Sequence, residues 1–344
     1  MRKRLAASNR ILLIAAVAIT IISQTGCSQK REPVTKEAYH LDTICNITVY
    51  AMTDMTEKSA DKVIDGAYDI CEYYEGLLSK TVKGSDIYNI NHSAGNPVEC
   101  DPETVSVIEK GIYYYGISAG RFDITIGHVT DLWDFHAAEP EVPDDAEIKK
   151  ALDHVGCEQI NIEGNTVTMA DPEGEIDLGA VAKGYIADKM AAYIRAQGVT
   201  GAVVDLGGNL SVIGYKDGES TDVRVGIKKP FAETGGLAAA LPVHDRSLVT
   251  SDIYERCFRA DGKLYHHILD VNTGYPVNTD VQSVTIIGPE DKGADCDALA
   301  TVSLIIGREE ATRMIEDMDG FEAVFIASDG TVTKTGGVEG LEVN

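Results

Sequence analysis

Two segments of this 344-residue chain combine residue types that could hold a phosphate-bearing ligand. The first is Ile176-Asp177-Leu178-Gly179-Ala180-Val181-Ala182-Lys183-Gly184. It is an apolar run that turns through glycine into an amphipathic helix, with Asp177 before the turn and Lys183 after it. Amides at a helix start lack intrahelical partners and carry partial positive charge, so they can receive phosphate oxygens. The second segment, from Asp297 to Ile306, reads as a helix apolar almost all the way round. Asp297 and Thr301 are four residues apart and share one face. A carboxylate in a buried helix is costly unless something positive or hydrogen-bonding meets it. A hard cation such as Mg²⁺, held by one carboxylate and one hydroxyl and shared with a substrate phosphate, fits that need.

Other constellations are weaker by themselves. Gly120 to Gly127 is a glycine-bounded apolar run, followed by the only tryptophan, Trp133, which could shape a pocket or fill the core. Asp205-Leu206-Gly207-Gly208-Asn209 has the composition of a strand–turn–strand corner. Thr250-Ser251-Asp252 offers hydroxyls at a strand end. His266 and His267 fall in a predicted strand, so one can face a site while the other faces core or solvent. The turn from Asp270 to Pro276 follows them, and strand ends entering tight turns often frame sites. A His-His pair lacks the i,i+4 spacing that converges on zinc. The one GxSxG, Gly116-Ile117-Ser118-Ala119-Gly120, falls at the end of a predicted helix and not on a strand-to-helix turn, so it is not a serine-hydrolase elbow. No GxGxxG or GxxxxGK[ST] occurs, which argues against a dinucleotide-binding βαβ unit and a P-loop.

The elements that must position these residues follow from periodicity. Thr56 to Ser79 reads as a helix capped by Thr56, with Val63, Ala67, Ile70, Tyr74 and Leu77 on one face. Further helices are predicted over Pro102–Ser118, Asp145–Val155, Lys183–Gln197, Ala294–Ile306 and Arg308–Asp317. Strands are predicted from His40 to Ala51, as a hairpin from Ile160 to Met169, over Gly201–Asp205 and Leu210–Tyr215, and through a strand-rich second half. That half comprises Val223–Ile227, Leu237–Val243, Ser247–Thr250, Leu264–Leu269, Val281–Ile287 and a closing hairpin from Ala323 to Lys334. Strands outnumber helices late in the chain and do not alternate with them, which argues α+β.

The N-terminus carries Arg2, Lys3, Arg4 and Arg10 before an apolar stretch from Ile11 to Ile22, of signal-peptide length. It ends in Gln24-Thr25-Gly26-Cys27, which resembles a bacterial lipoprotein signal with cleavage before Cys27 and lipid on its thiol; a plain secretory signal and an uncleaved anchor are the alternatives. The expected organisation is a signal peptide over 1–26, a lipid-anchored tether over 27–38 and one domain over 39–344, extracytoplasmic and held at the cell membrane. The formal charge of −25 makes the chain a poor nucleic-acid binder. An anionic ligand would bind it better with a cation present. The six remaining cysteines have no metal-type spacing; they are either free thiols or undetected disulfides.

Taken in order, Gly120-Arg121-Phe122-Asp123, Asp177 to Gly184, Asp205 to Asn209, Val225-Gly226-Ile227, Thr250-Ser251, His267-Ile268-Leu269-Asp270 with Thr273-Gly274-Tyr275-Pro276, and Asp297 to Thr301 resemble the ApbE family. The resemblance runs from about residue 40 to the C-terminus. It implies a single α+β domain related to the T-fold. It also implies an FAD:protein FMN transferase that uses Mg²⁺ to split the FAD pyrophosphate and esterifies FMN to a threonine or serine, releasing AMP. Its partners would be FAD and a flavin subunit of a membrane redox complex. Carried over by position, Asp297 and Thr301 would ligate Mg²⁺ through side chains and Ala180 through its carbonyl. Asp177 and Lys183 would contact FAD; Leu41, Arg121, Phe122, Asp123 and Ile268 would line its pocket. His267 would move the acceptor proton, with Asp270 orienting it. Leu41-Asp42-Thr43 stands where the family usually has Met-Gly-Thr, and Arg121 replaces a common alanine. A Mg²⁺-dependent FAD pyrophosphatase and a lipid-anchored FAD-binding protein are the competing expectations.

Overall fold

The computed structural model describes residues 32–344 except 233–235. The expected leader, the expected lipidation site Cys27 and the first part of the expected tether lie outside the described residues. Within them, no helix is long and apolar enough to cross a membrane.

The chain opens with a hairpin, β1 (Val34–His40) and β2 (Thr43–Met52), followed by α1 (Glu57–Leu78) and α2 (Asp86–Asn91). Next come β3 (Val98–Glu99), α3 (Pro102–Ile117), α4 (Gly127–Trp133), α5 (Asp145–Leu152), β4 (Ile160–Glu163), β5 (Thr166–Met169) and α6 (Ala182–Ala196). Strands β6 (Val199–Leu206), β7 (Asn209–Gly214), β8 (Val223–Lys228), β9 (Leu237–Val243), β10 (Arg246–Asp252), β11 (Cys257–Ala260), β12 (Lys263–His266) and β13 (Val281–Pro289) follow. The chain closes with α7 (Gly293–Ile306), α8 (Arg308–Glu316), β14 (Glu322–Ala327), β15 (Val332–Lys334) and β16 (Glu342–Val343).

An eight-stranded antiparallel sheet, ordered β1-β2-β6-β7-β10-β13-β14-β15, is the frame. Its central strands β13 and β14 are buried on both faces, so the sheet contributes to two cores. Cys45, Ile47, Val49, Val204, Ile286 and Phe325 pack against the helices of the large core. Val212, Leu248, Ile287, Val324 and Ile326 face the other way, onto the small sheet β16-β9-β8. A third cluster joins α4, α5 and the β11–β12 hairpin around Val129, Trp133, Ile148 and Leu269. Trp133 is 1% exposed and its indole N–H donates to Gly274 O at 2.8 Å. The tryptophan therefore fills a core. The architecture is the expected α+β, and the six cysteines among the described residues are free thiols.

The expected boundary at residue 39 moves. β1 begins at Val34, so residues 34–38 are sheet and not tether. Its sequence, Val-Thr-Lys-Glu-Ala-Tyr-His, gives no apolar run because it is an edge strand with Thr35, Glu37 and Tyr39 outward. It is held by its register with β2 and by the Tyr68 hydroxyl, which donates to Lys36 O at 2.9 Å.

Candidate active site

A cavity of about 450 Å³ opens between the helix-backed sheet and the Trp133 cluster. Its walls come from the β1–β2 turn, residues 121–136, the loop before α6, the β6–β7 corner, the end of β10, the segment after β12, and α7.

The loop before α6 is fixed from several sides. The Asn91 side chain clamps the backbone of Ile176, accepting its N–H at 2.8 Å and donating to its carbonyl at 2.9 Å. Asp177 N–H donates to Ile124 O at 2.7 Å, and its Oδ1 accepts Gly179 N–H at 2.8 Å. Lys80 Nζ lies 3.4 Å from Asp177 Oδ2 and 3.0 Å from Glu175 Oε1. Lys183 then turns back and donates to Gly179 O at 2.6 Å.

α6 and α7 cross closely enough for one helix to reach the other's carboxylate. A Cβ on Gly184 would lie 2.0 Å from Gly293 O, so only glycine permits the crossing. Gly184 N–H donates to Asp297 Oδ2 at 3.1 Å, and Lys183 N–H is directed to the same carboxylate. Val181 and Ala182 N–H are taken by Leu178 O. The start of α6 is therefore not the open phosphate nest that its sequence suggests. Its amides are spent on Asp297, which caps α6 from another helix.

Asp297 is 2% exposed. Burial raises its pKa; Lys183 (Nζ at 3.8 Å), the Gly184 amide and the Asn209 side-chain amide only partly offset this. The carboxylate is thus short of positive charge. Thr301 and Ala180 line the same cavity. Among the described residues, no three His, Cys, Asp or Glu side chains gather as a metal cluster. The donor set here is one carboxylate with neutral oxygens, which suits a hard cation that completes its shell with ligand and water.

His267 lines the cavity while His266, 4% exposed, lies in the core with Nε2 at 3.2 Å from Val277 O. β12 ends at His266, so His267 sits just past the strand, its N–H donating to Arg256 O at 3.2 Å. Burial, then the positive charge of Arg256, push its pKa down to about 3. The imidazole is neutral near pH 7 and retains an acceptor nitrogen. Asp252, 8% exposed, has its pKa raised to about 6 by burial, while its Oδ1 accepts the N–H groups of Tyr254 and Glu255.

The structure gathers Arg121, Phe122, Asp123, Asp177, Ala180, Lys183, His267, Ile268, Asp297 and Thr301 on this cavity. Two readings need correction. Leu41 is not on the wall: its φ of 54° turns it into the hairpin, its N–H goes to Glu75 Oε1, and Asp42 and Thr43 line the cavity instead. Asp270 is not on the wall either. Its Oδ1 accepts the Asn272 N–H and side-chain amide, and its carbonyl accepts Thr273 and Gly274 N–H, so it builds the turn and does not orient His267. Arg121 touches the cavity, but its guanidinium is paired with Glu310, Nη1 to Oε2 at 3.0 Å. Asp123 likewise spends its carboxylate on Thr125 and on Cys157 N–H. Among residues the sequence did not single out for the site, Asn209, Glu255 and Arg256 are on the wall. The pairing of a buried polar residue with a glycine corner was the available signal for Asn209.

The ApbE family model matches residues 41–325. A relative named FAD:protein FMN transferase from Treponema pallidum is 32% identical over 313 residues, covering 87% of this chain and 85% of its own length. One from Klebsiella pneumoniae, with the same name, is 33% identical and covers 75% of this chain and 80% of its own. Among solved structures, the ApbE protein from Thermotoga maritima superposes with a TM-score of 0.79 at 27% identity, covering 88% of this chain and 97% of that one. The flavin transferase ApbE from Vibrio cholerae gives 0.76 at 28% identity, covering 88% and 96%. With the family model matching residues 41–325 and these relatives covering most of its length, the chain belongs to the ApbE family.

Proposed function

We propose that the protein transfers FMN from FAD to a threonine or serine hydroxyl of a target protein, with Mg²⁺ and release of AMP. The observation that carries this reading is that one cavity holds both a buried, undercompensated Asp297 and a neutral His267. Relatives that match most of the chain bear the name FAD:protein FMN transferase. Asp297, Thr301 and the Ala180 carbonyl would hold the cation; when bound, it supplies Lewis-acid neutralisation of pyrophosphate charge. Lys183 adds a fixed positive charge beside that position.

His267 accepts the proton of the target hydroxyl through its free nitrogen. The hydroxyl oxygen bonds to the FMN phosphorus as the bond to the AMP oxygen breaks, and AMP leaves with that electron pair. Anchorage through Cys27 on the outer side of the cell membrane would place the site near a flavin subunit of a membrane redox complex.

The test is mass spectrometry of the chain incubated with FAD, Mg²⁺ and an acceptor subunit. The expected result is a gain of FMN minus water on the acceptor, with equimolar AMP. Free FMN with AMP and no labelled acceptor would favour pyrophosphatase action; intact bound FAD would favour a carrier.

A further inference from the structure

Asn209 opens β7 at the Gly207-Gly208 corner and is 2% exposed. Its backbone is pinned by pairing with Val249 and by the neighbouring Thr250 N–H, which donates to Gly208 O at 3.1 Å. The side chain reaches the cavity, with its amide beside the Asp297 carboxylate. That contact fixes which way the amide points. A carboxylate accepts only, so it must meet Nδ2 and not Oδ1. The carbonyl oxygen Oδ1 is then left over, and it has no hydrogen-bond partner in the structure. A buried acceptor without a partner costs on the order of 1–3 kcal/mol. Such a group, lining one cavity with the buried carboxylate of Asp297, has the chemistry of an oxygen donor awaiting a cation or its water.

Resting on the reading above, we propose that Asn209 is a positioning residue of the cation site: Nδ2 orients Asp297, and Oδ1 receives the divalent cation or a water in its shell. It supplies a neutral oxygen where a second carboxylate would overbind, in keeping with a site that shares its cation with a phosphate ligand.

The experiment is the thermal unfolding midpoint of the full chain in detergent, titrated with Mg²⁺ alone, for wild type, Asn209→Leu and Asn209→Asp. Binding to the folded state raises the midpoint with concentration, so affinity is read without turnover. Asn209→Leu is expected to weaken Mg²⁺ binding at least tenfold, because it removes the oxygen that receives the cation or its water. Asn209→Asp keeps an oxygen and loses the donor, so it should bind Mg²⁺ at least as well as wild type, from a lower metal-free midpoint. If amide donation to Asp297 were the whole role, Asp would fail as badly as Leu, and that result overturns the proposal. So does Mg²⁺ binding in Asn209→Leu equal to wild type. Should the leucine variant not fold, the aspartate variant decides: a tenfold loss sinks the inference, retained affinity supports it. A wild type indifferent to Mg²⁺ instead removes the cation reading itself, and the Asn209 role with it.

Discussion

Gly184 on α6 and Asp297 on α7 meet through a backbone N–H donated to Oδ2 at 3.1 Å, across a helix crossing with no room for a side chain at Gly184. The contact caps one helix with a carboxylate from the other and presents that carboxylate to the cavity. Fold and site therefore depend on the same few atoms.

Gly184→Ala should damage both. Its methyl would sit 2.0 Å from Gly293 O, a backbone atom that moves only if α7 moves. Overpacking of this kind costs about 1–3 kcal/mol. Urea unfolding should show that loss, and AMP release from FAD should fall with it. Wild-type values for both would mean that the crossing relaxes freely.

Asp297→Asn should separate chemistry from stability. The substitution removes a buried charge but keeps an acceptor for the Gly184 amide, so the melting temperature should hold or rise. Mg²⁺-dependent FAD cleavage should drop below detection by chromatography. Persistent cleavage at the wild-type rate would take Asp297 out of the cation site.

His267→Gln should lower transfer by roughly 10²–10⁴, the usual range for a lost general base. Because burial and Arg256 hold the imidazole pKa near 3, kcat/KM should show no limb from this residue between pH 5 and 8. A limb near pH 6.5 that disappears in the variant would contradict the neutral assignment. Asp270→Asn makes the paired control: its turn contacts are to Asn272, so kcat should stay within about threefold of wild type.

Asp188 gives a pH signature away from the chemistry. It accepts Gly293 N–H at 2.8 Å and Ser247 Oγ at 3.2 Å, and burial raises its pKa to about 7. A carboxyl raised on folding binds more protons in the native state, so its contribution is full below about pH 4 and is lost as pH rises through 7. Over about three pH units this is roughly 3–5 kcal/mol at 1.36 kcal/mol per unit. Denaturant unfolding between pH 4 and 8 should show Asp188→Asn flatter than wild type. Parallel curves would mean that Asp188 titrates normally.

Much of this protein was legible in its sequence for local reasons. Helical spacing in α1, the Thr56 cap, the Gly179 turn and the Asp297–Thr301 face are set within a few residues, where side-chain period and backbone sterics act directly. The ordered motifs likewise announced the family. What only tertiary structure decided were the partners of charged groups. Arg121 goes to Glu310, Asp123 to Thr125 and Cys157, Asp270 to its own turn, and the α6 amides to Asp297. Each is a competition between a ligand and a protein group brought in by the fold, in most cases from far along the chain, and composition carries no record of its outcome. The edge strand β1 was hidden for a related reason: sheet neighbours hold it in place, and it carries no apolar run of its own.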